Sequence, residues 1–166
     1  ITRDELGGSE YYYWIHNLIG GKVPVVDPKL EKISMRFVLD GIKKGYIISA
    51  HDISHGGLAV SLAEMAVKGD MGVTIDLDKV PQERGLRMDE LLFSESHARY
   101  IIEIRKDSLR ELVELARKHG AFLGLIGKVI DEKLIKISHG KKMIIVDLGD
   151  ARDAIDNGLR KYLGGI

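Results

Sequence analysis

The segment Tyr46 to Gly69, YIISAHDISHGGLAVSLAEMAVKG, constrains this chain more than any other. An apolar run of strand character (Tyr46, Ile47, Ile48) leads into His51-Asp52-Ile53-Ser54-His55-Gly56-Gly57. A helix is predicted to start at once, with Leu58, Leu62, Met65 and Ala66 on one face. A strand, a glycine turn and a helix in that order leave backbone N–H groups at the helix start, aimed at the turn. Those donors and the positive end of the helix dipole can hold a phosphate. The pair Gly56-Gly57 lets the backbone approach a ligand where a Cβ would intervene. Asp52 offers a carboxylate able to carry a metal ion for that phosphate. The same turn also serves tight geometry alone, with Ser54 as a plain helix cap.

Around this segment the pattern alternates between helix and strand. Glu10 to Ile19 reads as a helix with Tyr12, Ile15, Leu18 and Ile19 inward, stopped by Gly20-Gly21. Asp27-Pro28 reads as a cap followed by proline at the first helical position. That helix is predicted to reach about Lys44, with Leu30, Ile33, Phe37, Val38 and Ile42 as its stripe and Gly45 as its end. Gly72–Leu77 alternates like a half-buried strand, Pro81–Arg87 is a polar loop, and Asp89–Phe93 is one helical turn. Arg99–Ile104 is a strand, and Asp107 caps a helix through Lys118 that Gly120 closes. Ala121–Ile130, Leu134–Ser138 and Met143–Leu148 are β-rich, with a hairpin turn at His139-Gly140. Asp150–Leu163 is a last helix, ended by Gly164-Gly165. The expected fold class is α/β (α+β mixed): a mixed β-sheet flanked by helices, in a single domain over residues 1–166.

Composition narrows the function classes. Lys plus Arg and Asp plus Glu number 25 each, and no basic stripe stands out, so the electrostatic case for nucleic acid is missing. No apolar run nears the roughly 20 residues of a membrane-spanning helix. Cysteine is absent, which removes disulfides, thiolate chemistry and zinc–sulfur sites from consideration and fits a reducing cytoplasm. One Gln and two Asn among abundant Lys, Glu, Arg and Ile point to a thermophilic source. The first residue is Ile1, and the expectation is a piece of a longer multidomain polypeptide.

Three further clusters carry hydrogen-bonding chemistry. Phe93-Ser94-Glu95-Ser96-His97 can grip a ligand's hydroxyls or phosphate, or hold a metal through Glu95; equally, the serines cap backbone groups and Glu95 is solvated. Asp4-Glu5-Leu6-Gly7-Gly8-Ser9-Glu10 is a second glycine loop before a helix, meeting an anion or capping that helix. Tyr11-Tyr12-Tyr13-Trp14 can stack a base, or be part core and part interface. His51, Asp52 and His55 lack a third histidine or a cysteine for structural zinc. There is no G-x-S-x-G elbow and no P-loop motif.

Taken in order, Leu6-Gly7-Gly8-Ser9-Glu10-Tyr11, Asp52-Ile53-Ser54-His55-Gly56-Gly57-Leu58-Ala59 and Leu92-Phe93-Ser94-Glu95-Ser96 resemble the C-terminal-type domain of the aminoimidazole ribonucleotide synthetase superfamily. Within it the chain is most similar to the phosphoribosylformylglycinamidine synthase family. The L-F-S-E-S segment and the ending Gly158-Leu159-Arg160-Lys161-Tyr162-Leu163-Gly164 resemble that branch. The D-x-S-x-G-G-L turn is shared with thiamine monophosphate kinase, selenophosphate synthetase and a hydrogenase maturation protein, and a C-terminal half of such a kinase or synthetase is the alternative. A purely structural or interaction module is another.

The resemblance implies a synthetase subunit with two copies of an N-terminal-type plus C-terminal-type pair, this chain being the second C-terminal-type copy. The first copy reads Q-D-x-G-A-A-G-L and S-E-S-Q; there the aspartate binds a metal and E-S-Q contacts the ribonucleotide. Asp52 and Glu95-Ser96-His97 occupy the matching places, with departures at His55 and His97. An auxiliary nucleotide site follows by resemblance, with Ser54, Gly56, Gly57, Glu95, Ser96 and His97 toward phosphate or nucleotide and Asp52 toward metal. The implied activity is that of an ATP-dependent C–N ligase of purine biosynthesis. ATP phosphorylates an amide oxygen and ammonia displaces the phosphate, with Mg2+ as cofactor. The implied partners are the missing N-terminal-type domains, a glutaminase subunit, a small bridging subunit and a purine-precursor ribonucleotide. The family's catalytic residues lie mainly in N-terminal-type domains, so the expectation is no catalytic residue here and an inert chain in isolation.

Overall fold

The computed structural model describes residues 1–164, without the side chains of Lys161 and Tyr162. In chain order the elements are α1 (Glu10–His16), α2 (Pro28–Lys43), β1 (Ile47–Asp52), α3 (Gly57–Gly69), β2 (Gly72–Asp76), α4 (Met88–Phe93), β3 (Tyr100–Ile104), α5 (Leu109–His119), β4 (Gly127–Ile130), β5 (Leu134–His139), β6 (Lys142–Asp147) and α6 (Leu148–Tyr162). They form two compact units. One comprises Ile1–Ser61 with Val80–Gly124; the other comprises Leu62–Lys79 and the chain from Leu125 onward.

In the first unit, β1 and β3 pair antiparallel, from Ile47 opposite Ile104 to Asp52 opposite Tyr100. The core gathers Phe37 and Val38 of α2, Ile47 of β1, and Leu112, Leu115 and Ala116 of α5. Tyr46, Tyr100, Ile102 and Ile104 pack against it, half-buried. Asp27 starts α2 as its sequence indicates: one carboxylate oxygen accepts from the Lys29 and Leu30 amides at 2.9 and 3.2 Å, with Pro28 in the first turn. Ile42, expected on the inner stripe, is exposed.

The second unit is a four-stranded mixed sheet in the order β4-β2-β5-β6. β2 and β5 run parallel, with Val73 opposite Ile135, while β4 and β6 pair antiparallel to them. Ile75, Leu77, Ile135, Ile137, Leu148 and Ala151 are buried there. Asp70 holds Lys133 and Arg152, each at 2.8 Å. The mixed α/β class stands, with the strands shared between two sheets.

Several expectations are corrected. α1 stops at His16, because Asn17 takes the left-handed conformation (φ 50°) that Asn tolerates and so ends the helix before Gly20. Ile15, Leu18 and Ile19, expected inward, are exposed. Asp107 does not cap α5: it lies inside a 3-10 turn, Lys106–Ser108, that precedes the helix. Of Ala121–Ile130, only Gly127–Ile130 is strand, since β2 offers it partners only from Gly72 to Ile75. The closing pair Gly164-Gly165 falls partly outside the described residues, which end at Gly164. Among the described residues, no helix is long and apolar enough to cross a membrane.

Candidate functional site

β1 ends at Asp52, the turn passes through Ser54 and His55, and α3 begins at Gly57. Two glycines are needed here for a reason inside the chain. Gly56 and Gly57 both have positive φ, 75° and 64°. A Cβ on Gly57 would stand 2.6 Å from the Leu92 carbonyl oxygen and 2.9 Å from Phe93 Cα, so the turn lies directly against the end of α4. The Gly57 amide donates to the Ser54 carbonyl at 3.0 Å. At Gly57 a close approach is made by this chain's own backbone, and at Gly56 by the Val60 side chain.

The segment after α4 joins that turn to the N-terminal loop. Glu95 Oε1 accepts from the Gly56 amide at 2.8 Å and from the Glu10 amide at 3.3 Å. Its neighbours face the other way. Ser94 and Ser96 are buried; their hydroxyl oxygens accept from the amides of Glu5 at 3.4 Å and Arg3 at 3.1 Å. Alternation along an extended segment produces this split, with two serines inward and Glu95 toward the turn. Tyr11 of α1 stacks on Phe93 of α4, ring centroids 4.4 Å apart and planes 1° from parallel. The three motifs that lie far apart in the sequence thus converge.

Arg99 locks the arrangement from beneath. It is 8 % exposed. Its Nε donates to the Ser96 carbonyl at 2.8 Å, one terminal nitrogen donates to Thr2 Oγ1 at 3.0 Å, and the other to the Ser94 carbonyl. Burial pulls its pKa down to about 10, and the charges of Glu5 and Glu95 push the other way, so the guanidinium stays charged at neutral pH. Glu5 is also buried; its Oε1 accepts from the Val25 amide at 3.1 Å, while its Oε2 has no hydrogen-bond partner.

The remaining sequence-selected residues take different positions. Asp52 and Ser54 are exposed, and Asp52 lies 3.9 Å from His51 Nδ1. His55 is exposed. His97 is exposed and lies 3.4 Å from Glu31 of α2. Ser96 does not face solvent; its hydroxyl is spent on Arg3. Among the described residues, no group of three or more His, Asp or Glu side chains gathers to hold a metal. Tyr11 and Tyr12 are half-buried, and Tyr13 and Trp14 are exposed, which divides the aromatic cluster between packing and surface. The buried roles of Arg99, Glu5 and Thr2 were not legible in the sequence, where Glu5 stands only as a member of the glycine loop before α1. The one visible signal was an arginine heading an otherwise apolar strand, Arg99-Tyr100-Ile101-Ile102.

The convergence of a D-x-S-x-G-G-L turn, an S-E-S segment and a glycine loop defines the class to which this unit belongs. The chain is a member of the family described as AIR synthase related protein, C-terminal domain, whose model matches residues 2–140. It is 38% identical over 163 residues to the phosphoribosylformylglycinamidine synthase subunit PurL of Thermococcus sibiricus, covering 98% of this chain and 22% of that protein. The chain therefore spans about a fifth of the length of the curated relatives it matches. Among solved structures it resembles Thermotoga maritima PurL complexed with FGAR, with TM-score 0.76 and 26% identity, covering 81% of this chain and 23% of that one. It also resembles T. maritima PurL complexed with AMPPCP, with TM-score 0.72 and 28% identity, covering 77% and 23%.

Proposed function

We propose that this chain is the C-terminal-type domain of an ATP-dependent phosphoribosylformylglycinamidine synthase of purine biosynthesis, and that it forms one wall of a nucleotide or phosphate site. The observation that carries the reading is the Glu95 bridge, which brings the S-E-S segment, the glycine turn and the loop before α1 to one place. Family membership and the two ligand-bound relatives support it. In this reading Asp52, Ser54 and His97 face the ligand, consistent with their exposure. Gly56, Gly57, Glu95 and Ser96 hold the shape.

A Mg2+ ion takes six oxygen ligands and keeps several waters. Asp52 would supply one carboxylate to such an ion, and the rest of its ligands would come from outside this turn. When bound, the metal neutralises phosphate charge. The site's own contribution is to orient an anion at the exposed residues of a turn whose shape is fixed. The partners in this reading are N-terminal-type domains of the same polypeptide, a glutaminase subunit, a small bridging subunit and a purine-precursor ribonucleotide. A reducing cytoplasm and a thermophilic source remain readings of composition.

The family chemistry needs groups this chain does not supply, so the isolated 166 residues are inert. The test adds ATP, magnesium, formylglycinamide ribonucleotide and ammonia to the isolated chain and to an intact synthetase polypeptide carrying it. Turnover only in the intact protein is expected; turnover by the isolated chain would refute inertness. In the intact protein, Asp52→Ala should weaken ADP binding about tenfold, the scale of one lost charge-assisted contact. Unchanged affinity would remove Asp52 from the site.

A further inference from the structure

The amide groups that a strand–turn–helix offers to a phosphate are, at the two glycines, already engaged. Gly57 N–H goes to the Ser54 carbonyl at 3.0 Å, and Gly56 N–H goes to the Glu95 carboxylate at 2.8 Å. The second acceptance by the same oxygen, from Glu10 N–H at 3.3 Å, ties in a loop 85 residues away in sequence. We propose that Glu95 is the positioning residue of this site: an internal carboxylate that stands at Gly56 where a bound anion would stand, and so holds the three motif loops in one arrangement with or without ligand. The inference rests on the nucleotide-site reading for its consequence, but the clamp itself rests on geometry within the first unit.

Three observations support a holding role over a ligand-contacting one. Glu95 spends its Oε1 on two backbone donors, and a carboxylate accepting amide protons is a strong acceptor. The residues on either side are fixed from below by Arg99, which takes the carbonyls of Ser94 and Ser96, so the backbone that carries Glu95 has little freedom. The turn it holds is wedged against the α4 end, where Gly57 leaves no room for a side chain. A ligand's negative charge would meet the Glu95 charge at the Gly56 amide. An incoming phosphate is therefore disfavoured at the Gly56 amide itself.

Two variants separate reach from charge in the intact polypeptide. Glu95→Asp keeps the charge and is one methylene shorter; Glu95→Gln keeps the reach and an acceptor oxygen but loses the charge. Hydrogen–deuterium exchange read by mass spectrometry follows residues 54–58 and 8–12, with the β5–β6 hairpin as internal control. Glu95→Asp is expected to speed exchange roughly tenfold in both segments together, and Glu95→Gln to stay within roughly threefold of the parent. The hairpin is expected to be unchanged in both. Calorimetry with ADP should find parental or tighter affinity in Glu95→Gln and weaker affinity in Glu95→Asp. Parental exchange in either segment of Glu95→Asp would overturn the clamp. So would loss of ADP binding in Glu95→Gln with exchange intact, because the charge itself would then be the ligand contact. If the parent binds no ADP, the nucleotide reading fails by itself, and the exchange result still decides the role of Glu95.

Discussion

Arg99 and Gly57 show how far single positions control this site. Arg99 serves three acceptors from a buried guanidinium, and no other cation of its shape can do so. An Arg99→Lys variant keeps the charge but leaves at least one buried carbonyl or hydroxyl without a donor. It should lose about 2–4 kcal/mol in denaturant unfolding, from desolvated groups left unpaired. Gly57→Ala combines a left-handed backbone with a Cβ pressed on the Leu92 carbonyl oxygen. The expected loss is about 2–4 kcal/mol. Gly85→Ala is the control, since Gly85 also has positive φ (85°) but nothing within 4 Å of its Cβ position. It should cost only about 1 kcal/mol, and equal costs at the two glycines would show that Leu92 yields freely.

Elements with strong local signals were legible. The Asp27-Pro28 start of α2 and the Gly120 end of α5 follow from capping chemistry that needs no tertiary partner. Removing the Asp27 carboxylate, as Asp27→Ala, should cost about 1 kcal/mol in a thermal or denaturant melt. β4 depends on a partner and was less legible, being four residues long because its ladder is, whereas α1 is short because of a local event, the left-handed Asn17 that ends it. In the second unit, Asp70 gives an acid-limb prediction. Its carboxyl is held below the ordinary value of 3.8, first by the Lys133 hydrogen bond and then by the nearby cationic charge. The folded state therefore binds that proton less readily than the unfolded chain. The stabilisation is complete above the ordinary value and disappears as pH falls through the lower folded value. Asp76 is shifted in the same direction, by its hydrogen bond with Lys79. Asp70→Asn should thus flatten part, and not all, of the fall in melting temperature between about pH 5 and pH 2. An unaltered acid limb would show that Asp70 contributes nothing to it.

For the molecule as a whole, the chain covers about a fifth of its curated relatives, and exposed apolar side chains are numerous around α1. Trp14, the single tryptophan, is 58% exposed, and Ile15 and Ile19 are more exposed still. Under the proposed function, the remaining domains cover this surface. Acrylamide quenching of tryptophan emission should be strong in the isolated chain. In an intact polypeptide whose other tryptophans are replaced, the Trp14 signal should be shielded several-fold; equal quenching would leave the surface bare in both. The amino-acid order alone settled the mixed α/β class, the strand–glycine turn–helix segment, the Asp27 start of α2, the Gly120 end of α5 and the motif set that marks the family. Those depend on neighbours within a few residues. The division of labour inside the motifs was decided by folding: Ser94 and Ser96 turn inward, Glu95 takes the Gly56 and Glu10 amides, and Arg99 is buried beneath them. Apart from the short reach of Arg99 to the Ser94 and Ser96 carbonyls, those contacts join residues 39 to 93 positions apart in sequence, so periodicity and local propensity carry no trace of them.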